Sequence, residues 1–311
     1  GDPIRVIAQK KSTTSVTQQH PSSGAAKGPL SASRIKDDTL TKSPSLEDDD
    51  AYQGSWMENC RHGFGVQLWS DGTKYSGQWV HDRAEGRGKF QCPNGDSYVG
   101  EWLAGNAHGH GVFNRAPGSR YAGQWRDNEQ HGYGVETWPD GAKFEGQHHA
   151  GKRHGFGRMS WTDDSYYEGH FHENNIHGEG DYYWGMDRKY SGQWRWNRMD
   201  GNGAFVWTDG RSYVGQFKED LKHGQGIFHW QDGGSYDGQW RDDRRHGHGE
   251  LVTANGERQP GVWDRGKRNK VHSDQFPKST PGEGDSIAPA MQPSASAKSP
   301  FSLWKLLRTT S

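Results

Sequence analysis

From Tyr52 to Trp263 the chain repeats one alternation of apolar and polar residues. In Tyr75-Ser-Gly77-Gln-Trp79, two aromatics and a glycine stand at i, i+2 and i+4, with Ser76 and Gln78 between them. That period of two predicts a β-strand with one aromatic face and one polar face. The same phrase begins every 23 residues, at Tyr52, Tyr75, Tyr98, Tyr121, Phe144, Tyr167, Tyr190, Tyr213 and Tyr236, and degenerates at Gln259. Glycine holds the third position of all ten copies, from Gly54 to Gly261. The fifth is Trp in seven copies; His148, Phe171 and Phe217 are the exceptions.

A second strand follows in each copy, such as Gly65-Val66-Gln67-Leu68-Trp69, opened by a Gly-x-Gly pair that His precedes seven times, from His62 to His246. A turn then recurs at one phase, with Asp71-Gly72, Asn94-Gly95, Asp140-Gly141, Asp209-Gly210, Asp232-Gly233 and Asn255-Gly256. Asx-Gly is the pair preferred by a two-residue type I′ hairpin, which needs positive φ at both residues. Each copy therefore reads as strand, loop, strand, tight turn. The turns at Pro117-Gly118, Asp163-Asp164 and Met186-Asp187 depart from the pair. A second aromatic column precedes the turn at Trp69, Trp138, Trp161, Trp184, Trp207 and Trp230. The expected core is a ladder of rings set beside glycines, one rung per repeat.

These residues resemble the MORN repeat (membrane occupation and recognition nexus): Tyr-x-Gly-x-Trp, then Gly-x-Gly, then Asp-Gly, over 23 residues. The resemblance implies an all-β fold, an elongated single-layer antiparallel sheet, or solenoid, of stacked 23-residue β-hairpins with a groove lined by aromatics. Two strands per repeat at about 4.8 Å each give nine repeats a span of about 85–90 Å. Such an array is held by interfaces between neighbouring repeats and needs capped ends. The last copy, Gln259-Pro260-Gly261-Val-Trp263, reads as a cap, because Pro260 blocks further strand pairing.

Composition sets the limits of this array. Only 29% of the 311 residues are apolar and mean hydropathy is −1.15, values that for an ordinary chain predict disorder. Yet 45 Gly and 15 Trp are present, and 35 of 38 aromatics lie between Tyr52 and Trp263. The expected organisation is a disordered tail over 1–51, the array over 52–266, and a flexible tail over 267–311. The first tail has seven charges of each sign; residues 264–311 carry eight basic and four acidic, and the middle is net −5. An acidic body is a poor partner for nucleic acid, so none is expected. No apolar run reaches the length of a membrane span, and no signal peptide is recognisable. Cys60 and Cys92 form no disulfide framework, which suits a reducing compartment. The expected location is cytoplasmic, peripheral at a membrane or the cytoskeleton. The opening Gly1 is what a fragment or processed product would show.

No catalytic motif emerges, and neither cofactor nor metal is expected. Gly86-Arg-Gly88-Lys89 lacks the spacing and hydroxyl of a phosphate loop, and the periodic Gly-x-Gly pairs read as structural. His172-Glu173-Asn-Asn-Ile-His177 is one residue too long for a zinc His-Glu-x-x-His. Equivalent histidines of adjacent repeats are expected about 10 Å apart, too far to share one ion. His148, His149, His170 and His172 gather in copies five and six, where Trp is lost, and read as a weakened rung.

The aromatics carry the functional reading, since aromatic anchors dominate interface energies. The candidate partner-binding rings are Tyr75, Trp79, Tyr98, Trp102, Tyr121, Trp125, Tyr190, Trp194, Tyr213, Tyr236 and Trp240. In the C-terminal tail, Phe301, Trp304 and Leu307 with basic Lys305 and Arg308 outline an amphipathic segment over 301–308. Expected partners are proteins, including a helical peptide, an anionic phospholipid met by the tail, and a second copy of the chain. The expected function is a non-catalytic scaffold; the alternative is a regulatory MORN segment of a larger enzyme, such as a phosphatidylinositol phosphate kinase.

Overall fold

The computed structural model describes residues 50–269 as a single antiparallel sheet of twenty strands. The first strands of the repeats are β1 (Ala51–Met57), β3 (Lys74–Val80), β5 (Ser97–Leu103), β7 (Ser119–Arg126), β9 (Lys143–His149), β11 (Tyr166–His172), β13 (Arg188–Arg195), β15 (Ser212–Lys218), β17 (Ser235–Arg241) and β19 (Arg258–Asp264). The second strands are β2 (Cys60–Leu68), β4 (Arg83–Gln91), β6 (Asn106–Arg115), β8 (Glu129–Thr137), β10 (Lys152–Ser160), β12 (Asn175–Trp184), β14 (Arg198–Trp207), β16 (Leu221–His229), β18 (Arg244–Val252) and β20 (Lys267–Asn269). Each strand pairs with the next in sequence, so the all-β repeat expectation holds strand by strand. The expected tails, with Phe301, Trp304 and Leu307, lie outside the described residues.

Glycines cross the sheet in an unbroken file. Gly54 faces Gly65, which faces Gly77, then Gly88, and the file runs on through Gly249 to Gly261. A tyrosine ring lies flat on this bare backbone. A Cβ built on Gly88 would stand 2.3 Å from the Tyr75 hydroxyl, and one on Gly77 would stand 2.6 Å from the Cα of Gly88. The hydroxyl, once over the file, donates to the carbonyl three residues on, as Tyr75 does to Gln78 at 3.1 Å and Tyr190 to Gln193 at 2.9 Å.

Tryptophan then locks one repeat to the next. Trp102 meets the Tyr98 ring of its own strand edge-on at 5.1 Å and Tyr75 of the preceding repeat at 5.3 Å. Its Nε1 donates to the carbonyl of Gly88 at 3.1 Å. T-shaped pairs of this kind contribute about 0.5–1.5 kcal/mol each beyond burial, and the ladder repeats them to Trp263, which packs on Tyr236 at 5.0 Å.

The two glycines of each Gly-x-Gly pair serve different ends. The second belongs to the file under tyrosine. The first sits in a β-bulge: between Gly77 and Gln78 the pairing of β3 with β4 shifts register. Gly86 there has φ +60°, a conformation costly to residues with a Cβ, and Gln78 Oε1 accepts from the amide of Arg87 at 3.2 Å to close the bulge.

The two turn classes exchange the roles expected of them. At the Asx-Gly phase only the glycine has positive φ: Gly72 donates to the Trp69 carbonyl at 2.8 Å and Trp69 to that of Thr73 at 2.9 Å. This is a three-residue loop with a G1 bulge, not type I′. Turn five keeps the geometry with Asp164 at φ 62° in the glycine's place. The type I′ signature lies between the two strands of each hairpin, where a looser loop is expected. Glu58 and Asn59 there have φ 50° and 61°, Asp242 and Asp243 have 49° and 65°, and the other repeats match. The Asn or Asp of this turn clamps the preceding repeat. Asn174 Oδ1 accepts from the Arg153 amide at 2.9 Å, while the Asn174 amide donates to the Arg153 carbonyl at 3.0 Å.

The C-terminal edge closes as a cap, with one extension. β20 pairs with Val262, Trp263 and Asp264 only, and stops short of Pro260. Arg268 folds back to donate to the Pro260 carbonyl at 2.7 Å and lies over the Trp263 ring. The sheet therefore reaches three residues beyond the expected boundary at 266.

Candidate functional site

The eleven rings expected to form a partner surface are interior. Tyr75, Tyr98, Tyr190, Tyr213 and Tyr236 are at most 1% exposed, and Trp79, Trp102, Tyr121, Trp125, Trp194 and Trp240 no more than 7%. Their polar atoms are engaged with backbone, as Trp240 Nε1 is with the Gly226 carbonyl at 2.8 Å. A bare glycine file lets the rings tilt onto the sheet and cover one another, so a partner meets other residues.

The accessible aromatics lie one step toward the Asx-Gly loops. In the second strands, a column two residues beyond the Gly-x-Gly pair pairs across with the tyrosines. It reads Gln67, Phe90, Phe113, Glu136, Met159, Tyr182, Phe205, Phe228 and Leu251. Its mixed chemistry conceals it in the sequence, although its phase is constant. Beside it stand the tryptophans before each loop, and over repeats five to eight the two columns interleave. Trp161 stacks on Tyr182 at 5.3 Å, Tyr182 meets Trp184 at 4.2 Å, and Trp184 stacks on Phe205 at 5.3 Å. Phe205 meets Trp207 at 4.3 Å, Trp207 meets Phe228 at 5.9 Å, and Phe228 meets Trp230 at 5.2 Å. All but Phe205 are half-buried, so each presents part of its ring to solvent.

Basic groups edge this shelf. Arg188 lies 5.1 Å over Trp184 and Arg211 5.3 Å over Trp207. A cavity of about 460 Å³ opens between Trp184 and Trp207, bounded by Asp187, Arg188, Asp209 and Arg211. Arg211 is tied to Asp209 at 2.7 Å. In the N-terminal half the loop column changes to Cys92 and Arg115, so the shelf belongs to the C-terminal repeats.

The ladder breaks where the sequence loses tryptophan. His148 occupies the Trp place, fully buried, with Nε2 2.8 Å from Oε1 of Glu136, which occupies the place of Phe113 one repeat earlier. Above it lies a second cavity of about 460 Å³ whose lining includes Phe113, Tyr121, Trp125, Glu136, Trp138 and Lys152. The other members of the expected histidine cluster go elsewhere. His170 faces Phe156 on the opposite side of the sheet, while His149 and His172 stand at the type I′ turn end.

The outer face is patterned too. Val99, Val112, Ala122 and Val135 adjoin on β5 to β8, and Ser191, Ala204, Val214 and Ile227 on β13 to β16. Glu145, Arg158, Glu168 and Asp181 separate the two patches. Among the described residues no constellation of groups suited to catalysis accompanies either face.

The family model described as MORN repeat matches nine consecutive segments: 52–74, 75–97, 98–120, 121–143, 144–166, 167–186, 190–210, 213–235 and 236–258. No curated protein matches the chain in sequence. Among solved structures, the chain is similar to the TCP10 domain of Danio rerio CPAP in complex with a peptide of Danio rerio STIL. Identity there is 11%, TM-score 0.37, and coverage 68% of this chain and 99% of that one. The SAS-4 (dCPAP) TCP domain of Drosophila melanogaster, in complex with a proline-rich motif of Ana2, is similar at 10% identity and TM-score 0.29, with coverage of 72% and 97%. Likeness at that level says nothing about what this chain binds.

Proposed function

The chain belongs to the MORN-repeat family, and from that premise we propose that it is a non-catalytic scaffold binding a protein partner along the aromatic shelf from Trp161 to Trp230. The observation that carries this reading is a run of half-exposed rings left over once the tyrosine–tryptophan ladder has satisfied the core. Partly exposed aromatics on a rigid sheet are the side chains that anchor protein partners. Their spacing favours a helix. Successive loop tryptophans recur every two strands, about 9.6 Å apart, and a helix advances about 10.5 Å over seven residues. One apolar anchor per two turns then meets one repeat.

Cys60 and Cys92 are not joined in a disulfide, which supports a reducing, cytoplasmic setting. Within this reading the tail segment 301–308 supplies an anionic-phospholipid contact, and a second copy of the chain is another candidate occupant of the sheet. Affinity capture with the full chain, followed by direct binding of the partner found, tests the shelf. The Trp184→Ala/Trp207→Ala variant is expected to lose at least tenfold in affinity while its melting curve keeps one transition. A partner bound equally by both proteins would place the interface elsewhere. Liposome sedimentation with and without residues 300–311 tests the lipid contact separately.

A further inference from the structure

Spacing along the repeat sets equivalent histidines about 10 Å apart, but the sheet interleaves others between them. His149 and His172 end β9 and β11, and each falls between histidines of the flanking second strands. The result is a row of five rings across β8 to β12: His131, His149, His154, His172 and His177. Successive ring centroids are 5.4, 5.8, 5.0 and 5.7 Å apart, and Trp196 closes the row 5.0 Å from His177.

Two imidazoles on one tetrahedral ion, with metal–nitrogen distances of about 2.0–2.1 Å, have ring centroids about 5 Å apart. His154 and His172 already stand at 5.0 Å. The surroundings favour ligation. His110, His148, His223 and His246 pair with carboxylates, but among the described residues no ion pair occupies the five rings of the row. The nearby Lys152 ammonium is held by Glu173 at 3.4 Å. Nδ1 of His177 is buried without a hydrogen-bond partner among the described residues.

We propose that His154 and His172 form a two-imidazole site for a zinc-class divalent cation, its coordination completed by water. Among the described residues no three ligating groups converge on one point, so this is a chelating pair rather than a closed structural site. The ion would staple β10 to β11, beside the rungs where His148 and Phe171 stand in place of tryptophan. The sheet is then metal-tightened where its aromatic ladder is thinnest.

Zinc chloride titrated into the full chain, followed by calorimetry and by thermal melting, tests the site. Measurable heat and a rise in Tm with free zinc are expected, since a ligand of the native state stabilises by mass action. His154→Gln/His172→Gln is expected to weaken binding at least tenfold, and His172→Asn, altering one exposed ring, to do nearly the same. His223→Gln/His246→Gln, which changes the histidine column outside the row, is expected to leave binding unchanged. Absence of heat from the unmodified chain, or equal binding by His172→Asn, would overturn the proposal.

Discussion

Nε2 of the fully buried His148 donates to Oε1 of Glu136 at 2.8 Å, within a ladder that at most rungs packs a tryptophan or phenylalanine against an apolar side chain. One repeat earlier the corresponding pair is Trp125 and Phe113, with ring centroids 6.3 Å apart. The two polar residues are thus a matched exchange. Either change alone, His148→Trp or Glu136→Phe, leaves one buried polar partner orphaned and is expected to cost about 1–3 kcal/mol. The double variant restores the common rung and is expected to match or exceed wild-type stability. Denaturant melts of the four proteins measure the coupling; simple additivity would show that the pair acts independently.

The glycine file makes a position-specific prediction. Gly88→Ala drives a methyl into the Tyr75 ring, with contacts of 2.3 and 2.6 Å to Oη and Cζ, and is expected to cost about 3 kcal/mol or more. Gly256→Ala meets nothing within 4 Å and changes only a residue at φ +85°; about 1–2 kcal/mol is expected. Urea midpoints of the two variants should separate in that order.

The type I′ turns carry a clamp as well as a bend. Asn174→Ala removes the acceptor of the Arg153 amide and leaves a methyl-bearing residue at φ 70°, so about 2–3 kcal/mol is expected. Asn174→Gly loses the acceptor but fits the backbone, and should cost about 1 kcal/mol. A thermal melt ranking glycine below alanine would contradict this account.

Burial raises the pKa of the ladder tyrosines, that of Tyr236 to about 12, with Tyr75, Tyr98, Tyr121, Tyr167, Tyr190 and Tyr213 moved in the same direction. In the unfolded chain these phenols titrate near 10, at about their ordinary value. Above that pH the unfolded state binds fewer protons than the native state, so stability falls as pH rises. The tyrosine contribution is whole below about pH 10 and is lost as pH climbs through the native values. The tyrosinate absorbance of these seven phenols should therefore appear together with loss of β-sheet circular dichroism.

Much of this protein is legible along the chain because its contacts are between neighbours. The 23-residue period, the strand pairs, the invariant third glycine and the tyrosine–tryptophan face all follow from local alternation. So does the low apolar fraction, since a repeat sheet buries interfaces rather than one centre. The turn classes were not legible, because Asx-Gly serves both a two-residue turn and a three-residue loop with a G1 bulge. The strand register, together with the φ values, separates them.

The candidate site divides in the same way. The loop tryptophans are visible as a column, but their role as a surface is not, since exposure depends on how far each neighbouring ring tilts over the glycines. Gly86 and its counterparts insert a bulge in the nine complete hairpins, while the pairing between hairpins decides which residues of neighbouring repeats meet. The unshifted pairing of β8 with β9 brings Glu136 to His148 from twelve residues away, and that of β10 with β11 sets His172 beside His154. Sequence by itself determined the repeat and its core, because both depend on contacts that recur at a constant spacing. Only the tertiary structure decided the polar rung, the exposed shelf and the histidine row, because each depends on a cross-strand neighbour that the register between strands selects.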